Sequence, residues 1–312
     1  MVYIKSINTI YSLFINIIPF LILGFFLGKR NPKFSESIAA PLIQYGIPLS
    51  VMGLLLKEGI DMDLIKTALI AFFLIGFLTV LINIIEIFKI RLPNYSLQLA
   101  GLIGNTSFLG IPIAIALLPS KTINFTIGFD LGTTLFAWIF GPVLLQKRNF
   151  QNNVFNLKEL LNALLNSPAS RGIIGVLITY SFKIEDFLGD FLWIPARIVI
   201  ALAIIVVGSR LGIITNNKSK FFDFNEKIKY SILLKLFIFP LILFFVSKFL
   251  NFDLYQTSAV VLQAGTPTAI STILMAEAYK TNQSIAATIL FTTTLISIIT
   301  IPFLAFLIQL SI

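Results

Sequence analysis

The chain contains neither cysteine nor histidine among its 312 residues. Without cysteine there is no disulfide, no thiolate metal site and no cysteine nucleophile. Without histidine the chain cannot be an H-E-x-x-H metalloprotease, cannot use a serine–histidine pair and has no imidazole proton relay. These absences argue against a membrane enzyme, although they leave room for a mechanism based on carboxylates or lysine. We therefore expect no catalytic residues, no metal site and no cofactor.

Charge is also scarce. Charged residues make up 12 % of the chain and hydrophobic residues 57 %, which is the composition of a polytopic membrane protein. Ten apolar segments suit a hydrocarbon core of about 30 Å, although the sixth is short. These predicted spans are 11–28, 36–56, 64–88, 95–118, 122–145, 168–182, 191–209, 227–249, 255–276 and 284–308. They leave no room for a soluble domain of useful size.

The net charge of +9 is distributed by loop and forms no patch typical of nucleic-acid binding. If the spans alternate in direction, fourteen lysines and arginines lie on one side of the membrane and six on the other. The positive-inside rule makes the first side cytoplasmic. Both termini then face outward from a plasma (inner) membrane of bacterial type, and we expect anionic lipid head groups, not nucleic acid, as partners of the basic loops.

The longest polar interval, residues 146–167, divides the chain nearly in half. Its leucines repeat at helical spacing, which predicts a short amphipathic helix on the inner surface. These leucines are Leu157, Leu160, Leu161, Leu164 and Leu165. Five spans on each side, in residues 1–145 and 168–312, force the two halves into opposite orientations, as in the inverted repeats of secondary transporters.

The fourth span is interrupted by the segment from Gly101 to Pro112. Three glycines weaken the helix, and Pro112 removes a helical hydrogen bond. A broken helix with polar side chains at the break is how many transporters form a substrate site at the membrane midplane. The alternative is a proline-kinked helix whose Asn105 bonds to a neighbour. Span 9 has a similar interruption, and the candidate substrate-binding residues in the two spans are Gly104, Asn105, Thr106, Ser107, Gly110, Pro112, Gln263, Gly265, Thr266 and Pro267.

Four further polar residues within spans are candidates for coupling or gating. Asp130 in span 5 lies roughly 10 Å below the outer end of its helix, with Gly128 and Gly132 expected on the same face. A carboxylate at that depth is functional by default, although it can also form a structural hydrogen bond to a broken helix. Lys235 in span 8 is the second candidate, although a lysine at its depth can also snorkel to the interface. Gln44 and Tyr45, in the bent span 2, complete the set.

Several motifs resemble the auxin efflux carrier family, which includes the plant PIN carriers. The segment Asn105-Thr106-x-x-x-Gly110-Ile111-Pro112 is similar to the fourth-helix motif of that family. The other matching motifs, in chain order, are Asn166-x-Pro168, Leu234-Lys235-Leu236 with Pro240, Pro267, Ala276-x-x-Tyr279 and Thr300-Ile301-Pro302. Together they extend over nearly the whole chain.

The resemblance implies an all-α membrane protein of ten transmembrane helices in two inverted five-helix repeats, with discontinuous helices 4 and 9 crossing at the binding site. It further implies that helices 1, 2, 6 and 7 form a scaffold, often dimeric, against which the other six move in an elevator-like step. The implied substrates are small organic anions, held in part by Asn105. Two departures, the absence of a proline near Ile200 and of a long central loop, favour a bacterial-type carboxylate carrier over an auxin carrier.

Three alternatives remain open at this point. The same fold can work as a symporter or antiporter coupled to sodium or protons. The same pocket can serve a membrane receptor that does not transport. Asp186 and Asp190 have the D-x-x-x-D spacing of prenyltransferase Mg²⁺ sites, although acids at the beginning of a helix explain that spacing more simply.

Overall fold

The computed structural model describes residues 18–146, 168–216, 225–279 and 281–310, and these residues are largely helical. The helices are α1 (Ile18–Arg30), α2 (Pro32–Pro41), α3 (Ile47–Glu58), α4 (Met62–Ile84), α5 (Glu86–Arg91), α6 (Tyr95–Leu102), α7 (Ile111–Leu117), α8 (Ile123–Gln146), α9 (Pro168–Phe182), α10 (Glu185–Asn216), α11 (Glu226–Leu233), α12 (Phe239–Phe249), α13 (Leu254–Ala264), α14 (Ile270–Ala278) and α15 (Gln283–Leu310). Three π-helical turns, Leu42–Gly46, Thr106–Gly110 and Leu234–Ile238, directly precede α3, α7 and α12.

Five helical stretches of the described chain are long and apolar enough to cross a membrane. They are Met62–Ile84, Ser120–Leu145, Glu185–Val206, Glu226–Phe249 and Ser284–Ile308. Two shorter apolar helices, Thr106–Ile115 and Arg171–Phe182, accompany them. This all-helical, apolar architecture agrees with the membrane protein that the composition predicted, whereas ten spans in an inverted repeat remain a prediction. The amphipathic helix expected in 146–167 and the first part of span 1 lie outside the described residues.

Two predicted spans differ in their bounds from the helices observed. The third was expected to reach residue 88, but α4 ends at Ile84 because Ile85 adopts an extended conformation (φ −78°, ψ 115°) and the short α5 follows. The seventh was expected at 191–209 but lies within the longer α10. Asp186 and Asp190 therefore occupy the first turns of a helix, where acids favour the positive end of the helix dipole.

Glycines bring α1 and α10 into close contact. A Cβ atom at Gly24 or Gly28 would overlap the carbonyl group of Ile205 or Ser209, and one at Gly208 would overlap a carbonyl group of α1 in return. Helices approach this closely where small residues remove the side-chain spacing between them. The spacing of Gly24 and Gly28, four residues apart on one face of α1, therefore allows α10 to approach closely.

The helices pack in two groups. In the first, α10 lies along α1 and α3, and α3 also packs on α9. In the second, α4 lies along α8, while α13 packs against both α8 and α12. One large apolar cluster, including Phe129, Leu102 and Phe239, belongs to the second group. The interrupted fourth and ninth spans pack against this second group, and the stretch Thr106–Leu117 also contacts α10 of the first.

Candidate functional site

Both predicted interruptions are present, and they meet. Residues 103–105 follow the end of α6, residues 267–269 precede α14, and the two short segments pair antiparallel at Gly104 and Thr268. The Asn105 N–H donates to the Pro267 carbonyl (2.7 Å), and the Ala269 N–H donates to the Ile103 carbonyl (3.0 Å). We call these paired segments the crossing. A continuous proline-kinked helix is thereby excluded: the break comes before Pro112, which lies in the first turn of α7.

The crossing requires glycine at position 104. A Cβ atom there would overlap the Thr266 hydroxyl and lie 2.9 Å from the Lys235 Nζ atom. Such contacts are shorter than van der Waals packing allows, so any larger side chain would separate the two segments. The sequence therefore combines a residue without a side chain at 104 with Pro267, whose carbonyl accepts a hydrogen bond although it has no N–H to donate.

The helices that end at the crossing have buried donors at their carbonyl ends. Lys235 extends from the third π turn, is 0 % exposed, and donates from Nζ to the carbonyl of Ala264, the last residue of α13 (2.7 Å). The Thr268 hydroxyl donates to the Ala100 carbonyl in the last turn of α6 (2.7 Å). The carbonyl end of a helix carries partial negative charge, which a cation or a hydroxyl donor stabilises. Lys235 therefore faces the crossing, and the alternative that it snorkels to the interface is wrong.

Asp130 of α8 lies at the beginning of the helical stretch that leaves the crossing. Its Oδ1 atom accepts hydrogen bonds from the hydroxyls of Thr106 (2.5 Å) and Ser107 (2.6 Å). Its Oδ2 atom is buried and has no partner in the part of the chain that the structure describes. The side chain is 0 % exposed. This stretch is helical from Thr106 to Leu117, so its amino end places partial positive charge beside the carboxylate.

The two glycines that flank Asp130 do not share its face. The two glycines lie against the carbonyl groups of Leu64 and Ala68 in α4. Asp130 instead contacts the hydroxyls at the start of the stretch Thr106–Leu117. The expectation of one shared face is therefore wrong, because residues two positions apart on an α-helix are separated by about 200°. The close approach of the α4 backbone at these two glycines fixes α8 on α4.

Asn105 directly precedes this helical stretch. Its side chain is 4 % exposed and does not cap the helical stretch that follows it. Its backbone carbonyl accepts from the N–H groups of Leu109 (3.1 Å) and Gly110 (3.0 Å). The N–H groups of Thr106 and Ser107 precede these and have no intrahelical acceptor, as at the start of any helix. Neutral donors therefore collect at this end of the crossing.

The candidates from span 9 surround the end of α13. The Thr266 hydroxyl donates to the Gln263 carbonyl (2.7 Å), and Gly265 packs against a side chain of α15. The Gln263 amide nitrogen donates to the Thr126 carbonyl (3.3 Å), while its Oε1 atom is buried without a partner and lies against Gly110. Gly110 thus allows the two interrupted spans to approach a second time, one turn from the crossing.

Gln44 and Tyr45 are not brought to the crossing. Both are exposed and belong to the first π turn, which packs with α2, α3, α9 and α10. The Gln44 carbonyl accepts from the Arg171 guanidinium (2.8 Å). Their assignment as gating residues remains a prediction that this geometry does not support.

Two threonines, one in the crossing and one in α15 that bonds to it, were not among the predicted residues. Thr268 forms the backbone pair with Gly104, and its N–H donates to the hydroxyl of Thr293 in α15 (3.1 Å). Both side chains are fully buried. Their signal in the sequence is a hydroxyl next to the helix-breaking Pro267 and a threonine-rich stretch in an otherwise apolar last span.

A small cavity lies between α1, α7 and α15. It is lined by Ile18, Leu21, Leu109, Ile113, Thr294, Ser297, Ile298 and Ile301. Leu109 and Ile113 belong to the helical stretch that begins at the crossing, so the cavity lies where that stretch packs against α1 of the first helix group.

The acidic motif at the start of α10 does not form a metal site. Asp190 is exposed and pairs with Lys57 of α3 (2.5 Å). Within the described ranges no three His, Cys, Asp or Glu residues are close enough to hold a metal ion together. The geometry favours the simpler interpretation, acids in the first turns of a helix.

Comparison with known proteins agrees with this architecture. The family model described as "Membrane transport protein" matches residues 9–305. An uncharacterized transporter of Methanocaldococcus jannaschii is 22 % identical over 218 residues, which cover 69 % of each chain. With most of its length matched and with the motif that surrounds Asn105, the chain belongs to the membrane transport protein family of auxin efflux carrier-like proteins and is a membrane transporter.

Proposed function

We propose that this protein is a secondary transporter that moves small organic anions, carboxylates in particular, out of the cell by elevator-type alternating access. The observation that carries the proposal is the crossing, where two interrupted helices meet in a buried, hydrogen-bonded pair. Irregular backbone at membrane depth is tolerated only where protein or a substrate pathway surrounds it, and such breaks form the substrate sites of many transporters.

The donors at the crossing suit a carboxylate. The Asn105 amide, the N–H groups that begin the stretch Thr106–Leu117 and the hydroxyls of Thr106, Ser107 and Thr266 are all uncharged. A helix amino end favours an anion. Because the donors are neutral, they can hold an anion and release it without leaving an unpaired buried charge. Lys235 contributes positive potential from the other side of Gly104.

Access to such a site requires movement of a helix group. Asn105, Thr106 and Lys235 are all buried. The packing of α1, α3, α9 and α10 as one group supports a fixed scaffold, through which two copies of the chain can associate. The second group, which contains the crossing, is the moving part. The two halves of the whole chain, 1–145 and 168–312, joined by 146–167, are the inverted repeats, and each half contributes helices to both groups. Both termini face outward from the inner membrane.

Membrane potential can drive this export without a coupled ion. Moving one negative charge out of a negative-inside cell is favoured by about 2.3 kcal/mol per 100 mV. We therefore expect efflux to increase with an imposed potential.

The test is flux of four labelled acids, acetate, benzoate, malate and indole-3-acetate, in proteoliposomes. Asn105→Ala is expected to abolish the flux that the wild-type protein shows, with an unchanged melting temperature. The matched control is Asn124→Ala, because Asn124 is a buried asparagine that bonds to Asp61 at the other end of α8. Wild-type flux in Asn105→Ala would refute this site, and no flux of any of the four acids would refute the proposal.

A cation-coupled symporter or antiporter is the second candidate, and Asp130 is the observation that favours it. A buried carboxylate with one unpartnered oxygen is a place where a sodium ion or a proton can bind. Flux that requires a sodium or pH gradient and ignores membrane potential would favour this candidate. Binding of an acid without flux under any gradient would instead indicate a receptor.

A further inference from the structure

The hydroxyl donors at the beginning of Thr106–Leu117 already bind a carboxylate, that of Asp130. Both hydroxyls donate to the same oxygen of this side chain, whose two lone pairs can accept two such bonds. The protein itself thus supplies, within the membrane, the same chemical group that we expect in the substrate.

Two ionised carboxylates cannot share these donors. Like charges a few ångströms apart repel strongly in a low-dielectric site, and neighbouring carboxylates do not both ionise. Asp130 and Lys235 are the two charged residues among the buried residues that the structure describes. Lys235 is already engaged with the carbonyl of Ala264, so no second cation is available to offset another negative charge.

We propose that Asp130 is a tethered competitor of the substrate: its carboxylate holds the Thr106 and Ser107 hydroxyls whenever the substrate carboxylate does not. This inference rests on the function proposed above, because it assumes an anionic substrate at the crossing. It gives Asp130 a role in specificity and coupling. The two hydroxyls then donate to a carboxylate in both the loaded and the unloaded carrier.

The local geometry allows such an exchange. Among the described residues, Asp130 has these two hydroxyl bonds as its polar contacts, and its Oδ2 atom has no partner there. Hydroxyl hydrogens rotate toward a new acceptor without moving the backbone. The backbone of α8 is meanwhile fixed by Gly128 and Gly132 against α4, so only the side chain of Asp130 has to withdraw.

The first test is the affinity of Asp130→Asn for the same four acids, measured by ligand-induced thermal stabilisation. An amide is a weaker acceptor than a carboxylate, so the variant is expected to bind the transported acid at least about tenfold more tightly than wild type. The matched control is Thr133→Val. Thr133 is buried one turn along α8, and within the described residues its hydroxyl bonds to the Phe129 carbonyl of its own helix. Removal of this hydroxyl should therefore leave affinity unchanged. Unchanged or weaker binding by Asp130→Asn overturns the proposal.

The second test is Ser107→Ala, made both in wild type and in Asp130→Asn. In wild type the substrate and its competitor each lose one hydrogen bond, so affinity should change by less than about threefold. In Asp130→Asn only the substrate loses a strong bond, so affinity should fall about tenfold or more. If Asp130→Asn does not fold, the wild-type arm decides alone, and a tenfold loss there counts against competition.

The third test separates net efflux from exchange in proteoliposomes. Exchange uses only the loaded carrier, whereas net efflux requires the unloaded carrier to return with its donors satisfied. We expect Asp130→Asn to retain exchange and to lose at least about nine-tenths of net efflux, a split that loss of folding would not produce. Equal losses in both assays overturn the proposal. Failure of wild type to bind or transport any of the four acids is a different result, which refutes the proposed function itself.

Discussion

Replacing Gly104 by alanine should separate the two halves of the crossing. The new Cβ atom would overlap the Thr266 hydroxyl, lie 2.9 Å from Lys235 Nζ and lie 3.3 Å from Lys235 Cε. Lys235 cannot withdraw freely, because its Nζ caps Ala264 at 2.7 Å and it is fully buried. The backbone pairs at Asn105–Pro267 and Ile103–Ala269 must therefore lengthen.

Overpacking a tightly packed site by one methyl group costs about 1–3 kcal/mol. For a chain of this size that corresponds to a fall in melting temperature of about 2–10 °C. The assay is thermal unfolding of the purified protein in detergent, together with flux of the four acids. We expect both stability and flux to fall, because the crossing is both a structural joint and the proposed substrate site.

The matched control is Gly76→Ala in α4. A Cβ atom there meets the Phe136 ring at 3.4 Å, an ordinary contact, and alanine is favoured over glycine inside a helix by up to about 1 kcal/mol. The control should therefore be neutral or slightly more stable than wild type. A Gly104→Ala protein with wild-type melting temperature and flux would refute the argument that the crossing is closely packed at this residue.

Two further predictions concern stability. Thr268→Val removes the hydroxyl that bonds to the Ala100 carbonyl and leaves that buried acceptor unsatisfied. The free energy of unfolding should therefore fall by about 1–3 kcal/mol, and an unchanged melting temperature would show that this bond does not stabilise the end of α6. Asp190→Asn removes an ion pair with Lys57, and the two side chains of this pair are 74 % and 45 % exposed. Because exposed pairs contribute at most about 1 kcal/mol, the melting temperature should change by less than about 4 °C. A larger fall would indicate a role for Asp190 beyond this pair.

The sequence predicted the interruptions well, because helix breakers act locally. Glycine and proline weaken or remove helical hydrogen bonds whatever the surroundings, so the breaks in spans 4 and 9 were visible in the residues from Gly101 and from Leu262 onward. The position of the first break was less predictable. Pro112 suggested it, yet the helix breaks before Thr106, and Pro112 lies inside the helical stretch directly after its π turn. The pairing with residues 267–269 supplies hydrogen bonds to the backbone at the break.

The roles of the buried charges were not predictable from the sequence. Lys235 lies within reach of the membrane interface along the chain, and only the position of α13 shows that its Nζ atom caps Ala264. Asp130 could be identified as costly at its depth, but its partners Thr106 and Ser107 lie more than twenty residues earlier in the chain. Gln44 and Tyr45 showed the same polar signal and lie elsewhere, because polarity within a span does not determine which helix it faces.

The sequence by itself determined that this chain is an apolar, helical membrane protein with two interrupted spans, since composition and helix breakers act through local backbone and solvation energies. Only the tertiary structure decided that the two interruptions pair through Gly104 and Thr268, that Lys235 faces inward and that Asp130 holds the hydroxyls of Thr106 and Ser107. These contacts join residues far apart in the chain, and their geometry depends on how whole helices pack.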